Sequence, residues 1–174
     1  MARIQLQHEN CEDAEIRPIF DEIIERVGKV PAAYRAFGRH SHILQANWNR
    51  TKNILGKGNL SIELKEAIAY RVSTENGCTF CMTIHKQNLE KLGQTDERIL
   101  NIEKCEVVDD EKLQLVLRFV SIATKTPAEL TDDDFDKLKQ NGFSEEDILE
   151  MLTVMEMYTG YNKIIVALGL KIED

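Results

Sequence analysis

Apolar residues recur every three or four positions along almost the whole chain, and this spacing constrains the fold more than any other feature. The clearest stripe, near the amino end, is formed by Ile16, Ile19, Phe20, Ile23, Ile24 and Val27. Such spacing places side chains on one face of an α-helix. No stretch of convincing length alternates apolar with polar residues, as a half-buried strand would. The sequence therefore predicts an all-α fold.

Residues that end or cap helices divide this pattern into successive segments. The predicted breaks fall at Gly28, Gly56, Gly77, Gly93, Pro127 and Gly142. Side chains suited to N-cap positions are Ser61, Asp109 or Asp110, Thr131 and Ser144, the last with Asp147 in a capping box. Within the final helix, Gly160 is predicted to interrupt the segment with a kink or a close packing contact.

A weak internal repeat appears when residues 89–100 are laid on residues 135–149. The matched pairs are Gly93 with Gly142, Glu97 with Glu146 and Ile99 with Ile148. Each copy would contain a long helix, a turn and a second helix, so a two-copy helical repeat is predicted. The second copy has no cysteines, and thiol chemistry is therefore expected in the first copy only.

Size and charge narrow the classes of protein that this chain can represent. Its 174 residues suit one domain, and its net charge of -8, without a basic cluster, argues against binding nucleic acid. No apolar stretch approaches the roughly 20 residues of a membrane span, and the first residues lack the apolar segment of a secretory signal. We therefore expect a cytoplasmic protein without membrane association, whose four cysteines are thiols rather than a disulfide framework.

Two thiols, an imidazole and a carboxylate fall within twenty residues of one another: Glu66, Cys78, Cys81 and His85. Cys78 follows the break at Gly77, so it should lie at the mouth of a helix, where unpaired N–H groups stabilise a thiolate. Cys81 and His85 are four apart and share a helix face, so the imidazole can accept the thiol proton. An antiparallel return of the chain would bring Glu66 against His85 and orient the ring.

Other reactive and aromatic side chains are predicted to have structural roles. Glu75, at the end of the helix before the break, is predicted to be a solvated charge. Cys11 and Cys105 stand alone and are predicted to be small core residues. Tyr158 and Tyr161 are predicted to be core or interface aromatics.

Several readings of the four-residue constellation compete. Zinc could be held by Cys78, Cys81, His85 and Glu66, although structural zinc sites usually use a second Cys/His pair. A thioredoxin-like site would place Cys-x-x-Cys after a strand, and a c-type haem would need His where this chain has Met82. The remaining alternative is two buried thiols beside an incidental histidine.

Glu66, Cys78, Cys81 and His85, on two consecutive helices, resemble the site of the alkylhydroperoxidase D (AhpD)-like, carboxymuconolactone decarboxylase family, in its Cys-x-x-Cys peroxidase branch. The segments VPAAYRAFGRHSHILQANWNRTKNIL and YTGYNKIIVALGL also resemble that family. The resemblance covers residues 30–170 and leaves residues 1–29 as an N-terminal helical extension of a single domain, 1–174. Between the cysteines, Thr79 and Phe80 replace a pair that includes a second histidine in alkylhydroperoxidase D.

This resemblance implies an AhpD-like helical fold and a thiol-dependent peroxidase acting on hydrogen peroxide or an alkyl hydroperoxide. It implies that Cys81 attacks the peroxide, and that Cys78, expected to be the more exposed, resolves the sulfenic acid into a disulfide. His85 would relay the proton and Glu66 would hold His85. The helix-mouth argument instead favours Cys78 as the readier thiolate, so the order of the two cysteines is open at this point.

The family resemblance also implies what should accompany the chain. We expect no cofactor and no metal, a thiol or dithiol reductant such as a lipoyl or thioredoxin-like protein, and a homotrimer or homohexamer. Two alternatives remain: an enzyme of the carboxymuconolactone decarboxylase type, acting on a cyclic lactone acid without the thiols, or a zinc- or redox-sensing interaction module.

Overall fold

The computed structural model describes residues 2–107 and 109–172, and within these ranges every regular element is helical. The all-α prediction is therefore confirmed. Contacts divide the chain into two compact units, one running to Gly56 and resuming at Ile165, the other comprising Lys57–Ile164. The predicted organisation as one domain with an extension at residues 1–29 stays a prediction. No helix in the described ranges combines the length and apolar character needed to cross a membrane.

The first unit contains three helices near the amino end. They are α1 (Arg17–Val27), α2 (Ala32–Phe37) and α3 (Ser41–Gly56). As predicted, α1 ends at Gly28, whose φ of 85° is a left-handed conformation that glycine adopts without steric cost. Helix α3 packs against both α1 and α2.

The second unit contains the candidate site residues and most of the remaining helices. They are α4 (Ile62–Glu75), α5 (Thr79–Lys91), α6 (Asp96–Lys104), α7 (Glu111–Lys125), a short 3-10 helix (Pro127–Glu129), α8 (Asp132–Gln140) and α9 (Glu145–Leu168). Residues of α9 up to Ile164 belong to this unit.

Helix α4 is the central element of the second unit. It packs against α5, α6 and α7. Its buried apolar residues lie on several sides of the helix and are Ala67, Ile68, Ala69, Tyr70 and Val72. A helix enclosed in this way also buries its polar side chains, so Lys65, Glu66 and Ser73 must find partners inside the protein.

Three of the predicted N-caps are confirmed by hydrogen bonds to their own helices. The Ser61 hydroxyl accepts the N–H of Leu64 at 3.2 Å, and the Asp110 carboxylate accepts that of Leu113 at 2.9 Å. Ser144 and Asp147 form the predicted capping box, with reciprocal bonds of 3.1 and 2.8 Å. These contacts involve residues only three apart, so the sequence alone could identify them.

The predicted interruption at Gly160 is wrong. Helix α9 continues from Glu145 to Leu168 without a break. A side-chain Cβ placed at Gly160 would meet no atom within 4 Å, so no close packing contact requires glycine there either. The helix tolerates this glycine because its flanking residues supply enough buried surface on both sides.

The two turns matched by the predicted repeat share one backbone geometry. Gly93 and Gly142 have φ values of 86° and 87°. In each turn, the N–H of the residue after the glycine donates to the carbonyl of a fully buried leucine, Leu89 in the first and Leu138 in the second, at 3.0 and 3.1 Å. This is the Schellman closure, which favours glycine. The likeness of the turns agrees with the repeat, which itself stays a prediction.

A buried ion pair joins the start of the second unit to α9. The Nζ of Lys65, a residue only 1% exposed, lies 2.5 Å from Glu150 Oε1 and donates to the carbonyl of Lys57 at 2.5 Å. Glu150 Oε2 accepts the backbone N–H groups of Asn59 and Leu60 at 2.8 and 3.2 Å. Burial alone would raise the pKa of Glu150, but these hydrogen bonds and the lysine charge outweigh it and lower the pKa below its ordinary value.

Candidate active site

The end of α4 places Cys78 at the start of α5. Gly77 has a φ of 65°, and the N–H of Cys78 donates back to the carbonyl of Ser73 at 3.0 Å, which closes a Schellman turn. Cys78 is then the N-cap of α5, and its Sγ accepts the N–H of Cys81 at 3.3 Å. The sulfur therefore lies at the positive end of a helix, as the sequence predicted, where a thiolate is stabilised.

Cys78 and Cys81 are joined by a disulfide, with their Cα atoms 5.3 Å apart. Both side chains are covered: Cys78 is 0% exposed and Cys81 is 4% exposed. The expectation that Cys78 is the more exposed of the two is wrong. Its N–H is drawn back onto the end of α4 by the Schellman turn, and the residue after such a turn commonly packs against the helix that it leaves. Exposure therefore does not distinguish an attacking from a resolving cysteine.

His85 and Glu66 form a buried hydrogen-bonded pair across α5 and α4. His85 Nδ1–H donates to Glu66 Oε2 at 2.7 Å, and both residues are nine-tenths or more buried. A carboxylate only accepts hydrogen bonds, so the pair holds a proton on Nδ1 and leaves Nε2 as the basic nitrogen. His85 also lies one turn beyond Cys81 on the same helix face. The structure thus brings together the four predicted residues: Glu66, Cys78, Cys81 and His85.

Asn88 is a further polar member that sequence reasoning missed. Its Nδ2 donates to the same Glu66 Oε2 at 3.2 Å. It lies three residues after His85 on α5, so both side chains reach the carboxylate from one helix face. Helical spacing, which places residues three positions apart on one face, is the sequence signal that identifies Asn88. With two donors on one oxygen, the carboxylate is fixed in position before any reaction.

Aromatic side chains of α9 cover the imidazole. The ring of Tyr158 meets that of His85 edge to face, with centroids 4.4 Å apart and an interplanar angle of 89°. Tyr161 stands 6.2 Å from Tyr158, also edge to face. Both tyrosines are buried, which confirms that they are core aromatics. Their rings line one side of the site with apolar surface. Hydrogen bonds and charge interactions next to such a surface are stronger than in water.

Two comparisons bear on the family of this chain. Residues 42–108, which include all four site residues, match the sequence model of the carboxymuconolactone decarboxylase family. The fold is similar to the solved alkylhydroperoxidase AhpD core of an uncharacterized peroxidase-related protein from Ralstonia eutropha, with a TM-score of 0.90 and 19% identity over 99% of this chain and 93% of that one. Over residues 42–108 the sequence is similar to the carboxymuconolactone decarboxylase family, and the fold of the chain is AhpD-like.

Two other proteins are similar to this chain, one in sequence and one in fold. An uncharacterized protein, YdfG of Bacillus subtilis, is 26% identical over 108 residues, which are 60% of this chain and 73% of that protein. The solved apo structure of the debrominase Bmp8 is similar in fold, with a TM-score of 0.82 and 21% identity over 96% of this chain and 90% of that one. Activities other than peroxide reduction thus occur on this AhpD-like fold.

Glu75 departs from its predicted role as a solvated charge. Its side chain is only 7% exposed and forms ion pairs with Arg71, one turn earlier on α4, and with Lys125 of α7. The prediction is wrong because α7 packs against α4 and brings a cation to the end of the helix. The ion-pair partners of Glu75 are Arg71 and Lys125, whereas His85 pairs with Glu66, so Glu75 is part of the α4–α7 packing rather than of the histidine pair.

The geometry gives little support to the zinc alternative. Both sulfurs are joined to each other, and the Glu66 carboxylate is engaged by His85 and Asn88. Across residues 2–107 and 109–172, no three His, Cys, Asp or Glu side chains are grouped as ligands of one metal ion.

Proposed function

We propose that this protein is a thiol-dependent peroxidase of the Cys-x-x-Cys branch, reducing hydrogen peroxide or an alkyl hydroperoxide. The observation that carries the proposal is the buried Glu66–His85 pair beside a disulfide at a helix N-terminus. Such a site has an oxidisable dithiol, a base and a group that orients the base. Its likeness in fold to a peroxidase-related protein supports the same chemistry.

The reaction proceeds in two covalent steps. His85 Nε2 takes the proton of the attacking thiol, and the thiolate attacks one peroxide oxygen, so that an S–O bond forms as the O–O bond breaks. The leaving oxygen takes the proton back from His85 and departs as water or an alcohol. The second thiol then attacks the sulfenic sulfur, a water molecule leaves, and the Cys78–Cys81 disulfide forms. An external thiol or dithiol returns the pair to its reduced state.

Cys81 is the proposed attacking residue and Cys78 the resolving one. Cys81 lies one helical turn before His85, which places the base next to it in the helix. Cys78 accepts the Cys81 N–H at the N-cap, an arrangement that stabilises a thiolate leaving group when the disulfide is reduced. Dimedone labelling of the Cys78→Ser variant after one equivalent of peroxide tests this order, with the label expected on Cys81.

The proposed reductant for this cycle is a lipoyl or thioredoxin-like protein. The chain is proposed to form a homotrimer or homohexamer and to act in the cytoplasm without a cofactor. Light scattering of the purified protein tests the assembly. A comparison of dihydrolipoyl and thioredoxin-type reductants, at equal concentration of dithiol, tests the donor.

Thiol counting with mass spectrometry is the experiment that decides the class of reaction. The reduced protein is treated with one equivalent of hydrogen peroxide, and a rapid loss of two thiols with a Cys78–Cys81 linkage is expected. Oxidation no faster than that of free cysteine would contradict the proposal. Activity on a cyclic lactone acid that survives alkylation of both thiols would instead support the decarboxylase alternative, and stoichiometric metal would support the sensing module.

Replacing Glu66 with Gln is expected to lower kcat/KM for peroxide roughly 10- to 100-fold, because the imidazole loses the carboxylate that orients its ring through the 2.7 Å hydrogen bond to Nδ1. Stopped-flow oxidation of the reduced variant measures this effect. The matched control is Glu63→Gln, on the exposed side of the same helix, where the carboxylate contacts only Gln94 among its recorded partners. The control should oxidise at the original rate, and an equal rate in Glu66→Gln would remove Glu66 from the relay.

A further inference from the structure

Asn162 of α9 is a buried amide that the proposed mechanism does not use. It is 1% exposed, and its Oδ1 accepts a hydrogen bond from the hydroxyl of Ser73 at 3.2 Å. Its Nδ2 has no hydrogen-bond partner among the residues that the structure describes. An unpaired donor inside a protein lowers the stability of the fold, so this one calls for an explanation.

The contacts of Asn162 connect it to residues of the candidate site through Ser73. Ser73, which holds its Oδ1, also accepts the N–H of Cys78 through its carbonyl at 3.0 Å. Tyr158, one turn earlier on the same face of α9, contacts the ring of His85. This face of α9 therefore meets the site at two points, next to Cys78 through Ser73 and at His85 through Tyr158.

We propose that the Asn162 amide donates a hydrogen bond to the peroxide oxygen that leaves as the O–O bond breaks. This inference rests on the proposed peroxidase function. As the thiolate forms its S–O bond, negative charge develops on the departing oxygen before His85 protonates it. A buried N–H donor stabilises that charge strongly and needs no reorientation, since Ser73 already fixes the other end of the amide. Asn162 is then a catalytic residue that contacts the substrate.

The test compares two reactions of the same reduced protein. Asn162→Leu removes the donor with little change in size, and the double variant Ser73→Ala/Asn162→Leu removes both polar partners, so that neither is left unpaired. Oxidation by hydrogen peroxide develops charge on a leaving oxygen, whereas alkylation by iodoacetamide releases iodide, a weak hydrogen-bond acceptor. We expect the rate constant with peroxide to fall roughly 10- to 100-fold in both variants, with alkylation changed less than about two-fold.

The matched control is Thr159→Val. Thr159 joins α9 to the end of α4, because its hydroxyl accepts a 3.5 Å hydrogen bond from the Asn76 side chain. The Thr159→Val substitution should leave the rates of oxidation and alkylation unchanged. A parallel fall in oxidation and alkylation, or no fall in either, would overturn the assignment of Asn162. If peroxide does not oxidise the original protein, both the peroxidase proposal and this inference are overturned. If peroxide oxidises the original and the variant proteins equally fast, only the inference is overturned.

Discussion

Replacing either Cys78 or Cys81 with serine is expected to remove peroxide turnover, by roughly 10³-fold or more. A serine hydroxyl cannot be oxidised to a sulfenic acid and cannot form a disulfide, so each variant lacks one of the two covalent steps. Steady-state consumption of hydrogen peroxide with a limiting dithiol as the reductant measures the loss. The effect should be as large in one variant as in the other, because the two sulfurs act as a pair.

The other two cysteines provide the matched controls for this experiment. Cys11 and Cys105 are free thiols of intermediate exposure, and neither contacts the disulfide in any recorded interaction. Cys11→Ser and Cys105→Ser should therefore retain the original turnover. Undiminished turnover in Cys78→Ser or Cys81→Ser, or an equal loss in the Cys11→Ser control, would exclude the proposed dithiol mechanism.

Replacing Lys65 with Met is expected to lower the free energy of unfolding by about 3 kcal/mol, the largest effect on stability that we predict. The substitution leaves the Glu150 carboxylate inside the second unit without its cation, held only by two backbone N–H groups. The value lies at the lower end of the range for broken buried pairs, because the Glu150 side chain is 14% exposed and water reaches it. Urea denaturation of the original and variant proteins measures the difference.

A surface lysine and a double variant serve as controls for this prediction. Lys86 pairs with Glu90 and Asp96 at the surface, and Lys86→Met should cost less than about 1 kcal/mol. Lys65→Met/Glu150→Leu should recover most of the lost stability, because neither member of the pair is left unpaired. Equal losses in Lys65→Met and Lys86→Met would contradict a special role for the buried pair.

The contribution of this ion pair should also depend on pH in a defined direction. The pKa of Glu150 is lower in the folded chain than its ordinary value of 4.5. The stabilisation is therefore fully present above pH 4.5 and is lost as the pH falls through the lower pKa of the folded state. The difference in stability between the original protein and Lys65→Met should accordingly shrink as the pH is lowered below about 4.5.

Features set by neighbouring residues were predictable from the sequence. The N-caps at Ser61, Asp110 and Ser144 depend on contacts three residues away, and helical spacing alone places Cys81 beside His85. The contact between Glu66 and His85 was also predictable, because the break at Gly77 was expected to turn the second helix back antiparallel to the first.

Features that depend on contacts between distant segments were not predictable in this way. Glu75 is paired with Lys125 because α7 packs against α4, and Asn162 contacts Ser73 from 89 positions along the chain. Periodicity identifies the face of a helix, but not the element that will cover it.

The short span of the Cys78–Cys81 bridge has a thermodynamic consequence for a protein that makes and breaks it repeatedly. The two residues are only three positions apart, Cys78 at the N-cap of α5 and Cys81 in its first turn. A crosslink stabilises a fold largely by restricting the unfolded chain, and so small a ring contributes about 2 kcal/mol, less than a bridge between distant segments would. The disulfide can therefore be reduced and re-formed without unfolding the chain. The tertiary contacts of Glu66, His85 and α9, rather than the bridge, keep the chain folded.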